Sequence, residues 1–168
     1  MKLVSIIVPI YNMETFVSRG LQCLKAQTYP NLEILLIDDG STDGSGIACD
    51  REAQMDRRIR VYHTANRGAG PARNLGIQEA AGTYLHFFDV DDFLYPNAIT
   101  LLVEAAEKTG VDLVVGGFSV DDHNRNQRWV PKADHQYRTG EQVRRHFYPY
   151  MWMFGEWGIL QSVCFKLF

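Results

Sequence analysis

Three runs of nearly unbroken apolar residues decide what this chain can fold into. Residues 3–8 read LVSIIV, residues 32–37 read LEILLI and residues 84–88 read YLHFF. A strand with one wet face alternates apolar and polar residues, whereas a run apolar at almost every position is covered on both faces. Between the first two runs, residues 13–26 set Phe16, Val17, Leu21 and Leu24 at helical spacing. A helix joining two fully buried strands is a βαβ unit, so the expected fold class is α/β, a Rossmann-like, mostly parallel sheet with helices on both faces. Pro9 is expected to end the first strand and Asn12 to cap the first helix. A second helix is expected from Ser41 or Thr42 to about residue 53, and a short strand over 59–62. A third helix is expected over 71–81 with Pro71 in its first position and Gly82 at its end. After the 84–88 strand, a helix opening at Pro96 is stopped by Gly110, and 112–115 reads as a fifth short strand.

With 168 residues and a formal net charge of -3, the chain is expected to be a single domain over 1–168. The mild acidity gives no electrostatic case for a nucleic-acid partner. No window reaches the ~18 apolar residues that cross a bilayer, so no transmembrane segment is expected. Cys23, Cys49 and Cys164 are too widely spaced for a zinc pattern or a disulfide framework, which points to a reduced, cytoplasmic protein whose cysteines are packing residues. Beyond residue 117 the pattern weakens. Strands are expected over 118–120 and 127–130 around a polar turn at 121–126, then a helix from Thr139 or Gly140 to Phe147. The end is aromatic, with Phe147, Tyr148, Tyr150, Trp152, Phe154, Trp157 and Phe165 needing cover from a sheet edge or a homodimer. An apolar end without a cap reads as a C-terminal truncation.

The chemistry-bearing segments fall where strands end, which is where open parallel sheets bind ligands. Asp89 and Asp91 are two apart directly after a strand, so their carboxylates share a side, and Asp92 adds a third acid. Such a group repels itself unless a cation, a base or solvent compensates it. Mg²⁺ or Mn²⁺ held by one or two carboxylates plus substrate phosphates would do so; a solvated acidic turn with Asp92 capping the next helix is the alternative. Asp38 and Asp39 are consecutive, so at most one faces a shared ligand and the other caps or pairs with the next helix. Tyr11 can stack on a base or pack on its own helix. Arg73, near a helix start after Gly68 and Gly70, opposes the sign favoured there and implies a carboxylate or phosphate partner. Neither G-x-G-x-x-G nor a lysine-bearing phosphate loop follows the first strand, which argues against nicotinamide and P-loop chemistry.

Taken in order, Pro9-Ile10-Tyr11-Asn12, the run Asp38-Asp39-Gly40-Ser41-Thr42-Asp43-Gly44-Ser45, Asn66-Arg67-Gly68 through Ala72-Arg73-Asn74 with Gly76, and Asp89-Val90-Asp91-Asp92 resemble the nucleotide-sugar half of a bacterial family-2 glycosyltransferase with the GT-A fold. The resemblance covers residues 2–115 strongly and makes 1–115 the donor-binding half and 116–168 a partial acceptor side. It implies an inverting transfer from a nucleotide-diphosphate sugar, usually a UDP-sugar, to a hydroxyl-bearing glycan or lipid-linked acceptor in cell-surface polysaccharide or glycoconjugate synthesis. The implied place is cytoplasmic, peripheral to the inner face of the membrane. Pro9, Tyr11 and Asp39 would lie around the base, Arg73 near the nucleotide and Asp89 by the ribose or donor sugar. Asp91 would ligate the metal and Asp92 would help hold it. The acceptor base would be Glu156, although Gly155-Glu156-Trp157 departs from the family's Gly-Glu-Asp pattern, or a residue beyond Phe168. A nucleotide-sugar-binding fragment without turnover and a nucleotidyltransferase are the competing readings. A response-regulator-like domain leaves Tyr11 and the Arg73 loop unexplained.

Overall fold

The computed structural model describes residues 1–116 and, as backbone, the strands Phe118–Asp122, Arg125–Trp129 and Lys166–Leu167. In chain order the elements are β1 (Val4–Ile10), α1 (Glu14–Lys25), β2 (Leu32–Asp38), α2 (Ser45–Met55), β3 (Ile59–His63), α3 (Ala69–Glu79), β4 (Tyr84–Phe87), α4 (Ala98–Thr109), β5 (Val114–Val115), β6 (Phe118–Asp122), β7 (Arg125–Trp129) and β8 (Lys166–Leu167). The main sheet has six strands in the order β3-β2-β1-β4-β8-β5. β1 pairs in parallel with β2 and β4, and β2 with β3, as the apolar runs require. β8 lies antiparallel between β4 and β5. Two residues arriving from far along the chain carry no local signature of that pairing, and the sequence reading missed it.

Alternation along β1 sorts the two faces. Val4, Ile6, Val8 and Ile10 join the larger core with Val17, Leu21 and Leu24 of α1, Ala48 and Cys49 of α2, and Ile99, Leu102 and Val103 of α4. Ile7, with Leu35 and Ile37 of β2, packs instead on Ala72 and Leu75 of α3. Helices α1, α2 and α4 therefore cover one face and α3 the other. Gly76 of α3 fits closely there, because a Cβ would collide with the Ile7 side chain.

Several element ends differ from expectation. Pro9 lies inside β1, paired in register with Ile37. The Ile7 carbonyl accepts from Phe88 on the β4 side, so two residues on the Pro9 nitrogen faces where β4 has already ended, and no ladder bond is lost. Helix α3 begins at Ala69, two residues before Pro71, and leaves at Ala80 rather than Gly82. Gly110 does stop α4, in the left-handed conformation at φ 66° with its N–H on the Ala106 carbonyl. β6 and β7 pair through Asp122 and Arg125, taking in most of the residues read as a turn. The expected helix after Thr139, Cys164 and the aromatic group at 147–165 lie outside the described residues.

Candidate active site

The strand order changes direction between β1 and β4: β2 and β3 lie on one side of β1, and β4 on the other. At such a switch point, open α/β sheets bind ligands beyond the carboxyl ends of the strands. Tyr11 follows β1 there, and Asp89 to Asp92 follow β4. Pro9 comes two residues after the last β1 residue paired with β4, as Asp89 comes two after the last β4 residue paired with β1.

Tyr11 is 45% exposed. Asn12 beside it takes φ 51°, in the left-handed region that Asn tolerates better than most residues. Asn12 does not cap α1, and neither Ser41 nor Thr42 caps α2. The two helices instead exchange caps through the loop that follows β2. Ser45 Oγ accepts from Met13 N at 2.8 Å and Asp43 Oδ2 from Glu14 N at 3.2 Å, satisfying the first donors of α1. In return Glu14 Oε2 accepts from Gly44 N at 3.2 Å at the start of α2. Asn12 joins the same web: Ser41 Oγ accepts from its N–H at 3.0 Å, and its Oδ1 accepts from Thr42 N at 2.8 Å. The Ser-Thr-Asp-Gly-Ser stretch thus fixes the turn that carries Tyr11.

Asp38 and Asp39 point to different partners. Asp38 Oδ1 accepts from Ser41 N at 3.0 Å, and its Oδ2 lies 2.9 Å from His63 Nδ1. His63 Nε2 lies 3.2 Å from Asp50 Oδ1 of α2. Burial alone would raise the Asp38 carboxyl, but the Ser41 and His63 hydrogen bonds outweigh it and hold it below the usual carboxylate range. The same bond to Asp38, with a smaller contribution from Asp50, raises His63. Stability from this bridge is therefore full below the unfolded histidine pKa and fades as pH rises through the raised value. The Asp38 contribution runs the other way, being lost as pH falls below the carboxylate range. Because the His63 side chain is 49% exposed, the bridge is worth only about 0–1 kcal/mol. His63→Ala should accordingly lower Tm more at pH 5.5 than at pH 8.5; an equal drop at both values would contradict the assignment.

Asp39 is only 3% exposed. Its Oδ1 accepts from Arg67 N at 2.9 Å and Thr64 Oγ1 at 3.3 Å, and its Oδ2 from Gly68 N at 2.7 Å. It anchors the loop that leads into α3. Gly40, at φ 69°, makes room for this approach, since a Cβ there would sit 2.7 Å from Asn66 N. Gly68 turns the chain into α3 at φ 94°.

The carboxylate partner expected for Arg73 is Asp89: Nη2 donates to Oδ1 at 2.8 Å. Arg73 Nε is buried without a hydrogen-bond partner among the described residues. From the opposite face of the sheet, Arg19 Nη2 of α1 donates to the Asp91 carbonyl at 3.2 Å. The Asp91 side chain is left exposed. Burial, with the charges of Asp89 and Asp91, pushes the Asp92 carboxyl up to about 6. Negative charge is gathered here beyond what Arg73 offsets, which suits a cation. Among the described residues no three acidic, His or Cys side chains gather to hold an ion by themselves. Mg²⁺ and Mn²⁺ on nucleotides need only one or two carboxylates, with substrate phosphates completing the set. The donors at Asp91 and Asp92 fit that requirement. Glu156 lies outside the described residues.

Residues 5–166 match the family model described as Glycosyl transferase family 2. The chain belongs to that family. It is 43% identical over 132 residues to EpsJ, an uncharacterized glycosyltransferase of Bacillus subtilis (strain 168), a match covering 79% of this chain and 38% of EpsJ. Among solved structures it is similar to the mannosyltransferase PcManGT from Pyrobaculum calidifontis in complex with GDP-Man and Mn²⁺. The TM-score is 0.64 at 26% identity, over 68% of this chain and 35% of that one. It is also similar to S. aureus TarS 1-349 in complex with UDP-GlcNAc, with TM-score 0.62 and 26% identity over 67% of this chain and 33% of that one. These likenesses identify the fold as GT-A. The chain spans under two fifths of the length of EpsJ. No helix among the described residues is long and apolar enough to cross a membrane.

Proposed function

We propose that this chain carries the donor-binding part of an inverting glycosyltransferase. It would move a sugar from a nucleoside-diphosphate sugar, a UDP-sugar, to a hydroxyl of a glycan or lipid-linked acceptor in cell-surface polysaccharide or glycoconjugate synthesis, at the cytoplasmic side. The observation that carries the reading is the acidic loop at the switch point: Asp89 held by Arg73, with Asp91 exposed and Asp92 half-buried beside it. The solved relatives with GDP-Man and Mn²⁺ and with UDP-GlcNAc support the donor class. Cys23 and Cys49 are buried free thiols, which suits a reducing compartment.

In this reading Tyr11 offers its ring to the base, with Pro9 and Asp39 lining the same pocket. Arg73 keeps Asp89 oriented toward the ribose or donor sugar. Asp91, with Asp92, would hold Mg²⁺ or Mn²⁺, which when bound offsets the diphosphate charge as the leaving group departs. The acceptor oxygen attacks the anomeric carbon from the face opposite the phosphate, the carbon–oxygen bond to the diphosphate breaks, and a base takes the hydroxyl proton. Glu156 is proposed as that base.

Incubating the protein with Mn²⁺, a UDP-sugar panel and hydroxyl acceptors, and separating the products, tests the reaction class. Free UDP accompanied by a glycosylated acceptor is expected. Pyrophosphate would point to nucleotidyl transfer, and binding without product would leave a donor-binding module. Glu156→Gln should abolish transfer while donor affinity stays unchanged.

A further inference from the structure

Ten residues, 88–97, run between β4 and α4 without regular secondary structure, yet they begin with the acidic loop. A segment so placed has to satisfy its backbone elsewhere or leave polar groups unpaired. Helix α1 and the turn after it supply the partners. Arg19 donates to the Asp91 carbonyl at 3.2 Å. Thr28 N donates to the Pro96 carbonyl at 2.7 Å. Between them Gln27, 7% exposed, commits its whole amide. Its Nε2 donates to the Tyr95 carbonyl at 2.8 Å and reaches the Leu94 carbonyl at 3.5 Å, while its Oε1 accepts from Ile99 N at 3.2 Å. Nε2 is also tied to its own helix through the Cys23 carbonyl at 3.1 Å. Gly20 completes the fit: a Cβ there would collide with the Val90 carbonyl, so only glycine lets the loop lie this close to α1. Val90 and Leu94 are buried, leaving the exposed Asp91 on a backbone tied down before and after it.

We propose that Gln27 is a positioning residue for the acidic loop, acting through the backbone of Leu94, Tyr95 and Ile99 to set Asp91 and Asp92 for a divalent cation and diphosphate, with Arg19 a second tether on the same loop. The inference rests on the donor-site reading and adds to it residues outside the donor site. A buried amide that bonds three backbone groups over 67–72 residues of sequence separation fixes one geometry. Partners that orient a metal's ligands typically change affinity by about 10–100-fold when altered.

The test is calorimetric titration of UDP into the folded protein with Mn²⁺ and again with a chelator, compared among the unaltered chain, Gln27→Met, Arg19→Met and a core control, Leu102→Ala. Gln27→Met is expected to cut the Mn²⁺-dependent gain in UDP affinity by about 10–100-fold while the chelator value holds. Arg19→Met, an exposed change that leaves the core intact, should cut the same gain less. Leu102→Ala should lower Tm and leave the ratio alone, which separates positioning from stability. A normal gain in folded Gln27→Met would overturn the inference by itself. If Gln27→Met does not fold, Arg19→Met decides it. Absence of any Mn²⁺-dependent gain in the unaltered chain would overturn the donor-site reading and this inference together.

Discussion

Asp91→Asn should reduce Mn²⁺-dependent UDP affinity by on the order of 100-fold or more and leave the fold intact. Removing one carboxylate of a site that offers one or two takes away a ligand outright, whereas changes one shell further out already cost about 10–100-fold. The Asp91 side chain is exposed, and its backbone carbonyl keeps the Arg19 bond in the variant. Surface substitutions of this kind usually change stability by no more than about 0.5 kcal/mol. Calorimetry with Mn²⁺ beside a thermal melt reads both quantities. Equal metal-dependent affinities for the two proteins would remove Asp91 from the site.

Asp39→Ala is expected to cost both stability and nucleotide affinity. The carboxylate accepts from two backbone N–H groups and the Thr64 hydroxyl, so its loss leaves those donors without their partner. Each donor left unsatisfied when buried costs about 1–3 kcal/mol. Nucleotide affinity should fall by about tenfold to a hundredfold, the equivalent of one charge-assisted hydrogen bond to the base plus disturbance of the loop that leads to Arg73. Asp39→Asn retains one acceptor oxygen but turns an NH2 toward the N–H of Arg67 or Gly68, so it should cost stability too, by less than Asp39→Ala. Calorimetry with a uridine nucleotide beside a thermal melt reads both quantities, and unchanged affinity in both variants would reject the base contact.

The strands around the site were legible because β1 and β2 are buried on both faces and show it at nearly every position. The acidic step after β4 was legible because period two and a strand end are local properties. The caps were not. Asn12, Ser41 and Thr42 have the right chemistry at the right places, but the partners that satisfy α1 stand 29–32 residues away, at Asp43 before α2 and Ser45 at its start. Propensity names a residue able to cap; only the packing of two helix starts against each other decides which one it caps. The partner of Arg73 was legible as a charge type, because a cation near a helix start opposes the sign favoured there and calls for an anion, while its identity as Asp89 came only with β4 pairing beside β1. Gln27 gave no signal at all. A glutamine just past a helix end reads as solvated until the 88–97 segment is laid along that helix.

A crystal structure with UDP and Mn²⁺ tests the donor site at the acidic loop. The diphosphate is expected beyond the carboxyl ends of β1 and β4, with the ion bound by an Asp91 carboxylate oxygen and Asp92 beside it. The uracil would lie by Tyr11 and Asp39, and the Arg73–Asp89 pair would be retained. UDP bound away from the acidic loop, or a site left empty at saturating nucleotide and metal, would contradict it.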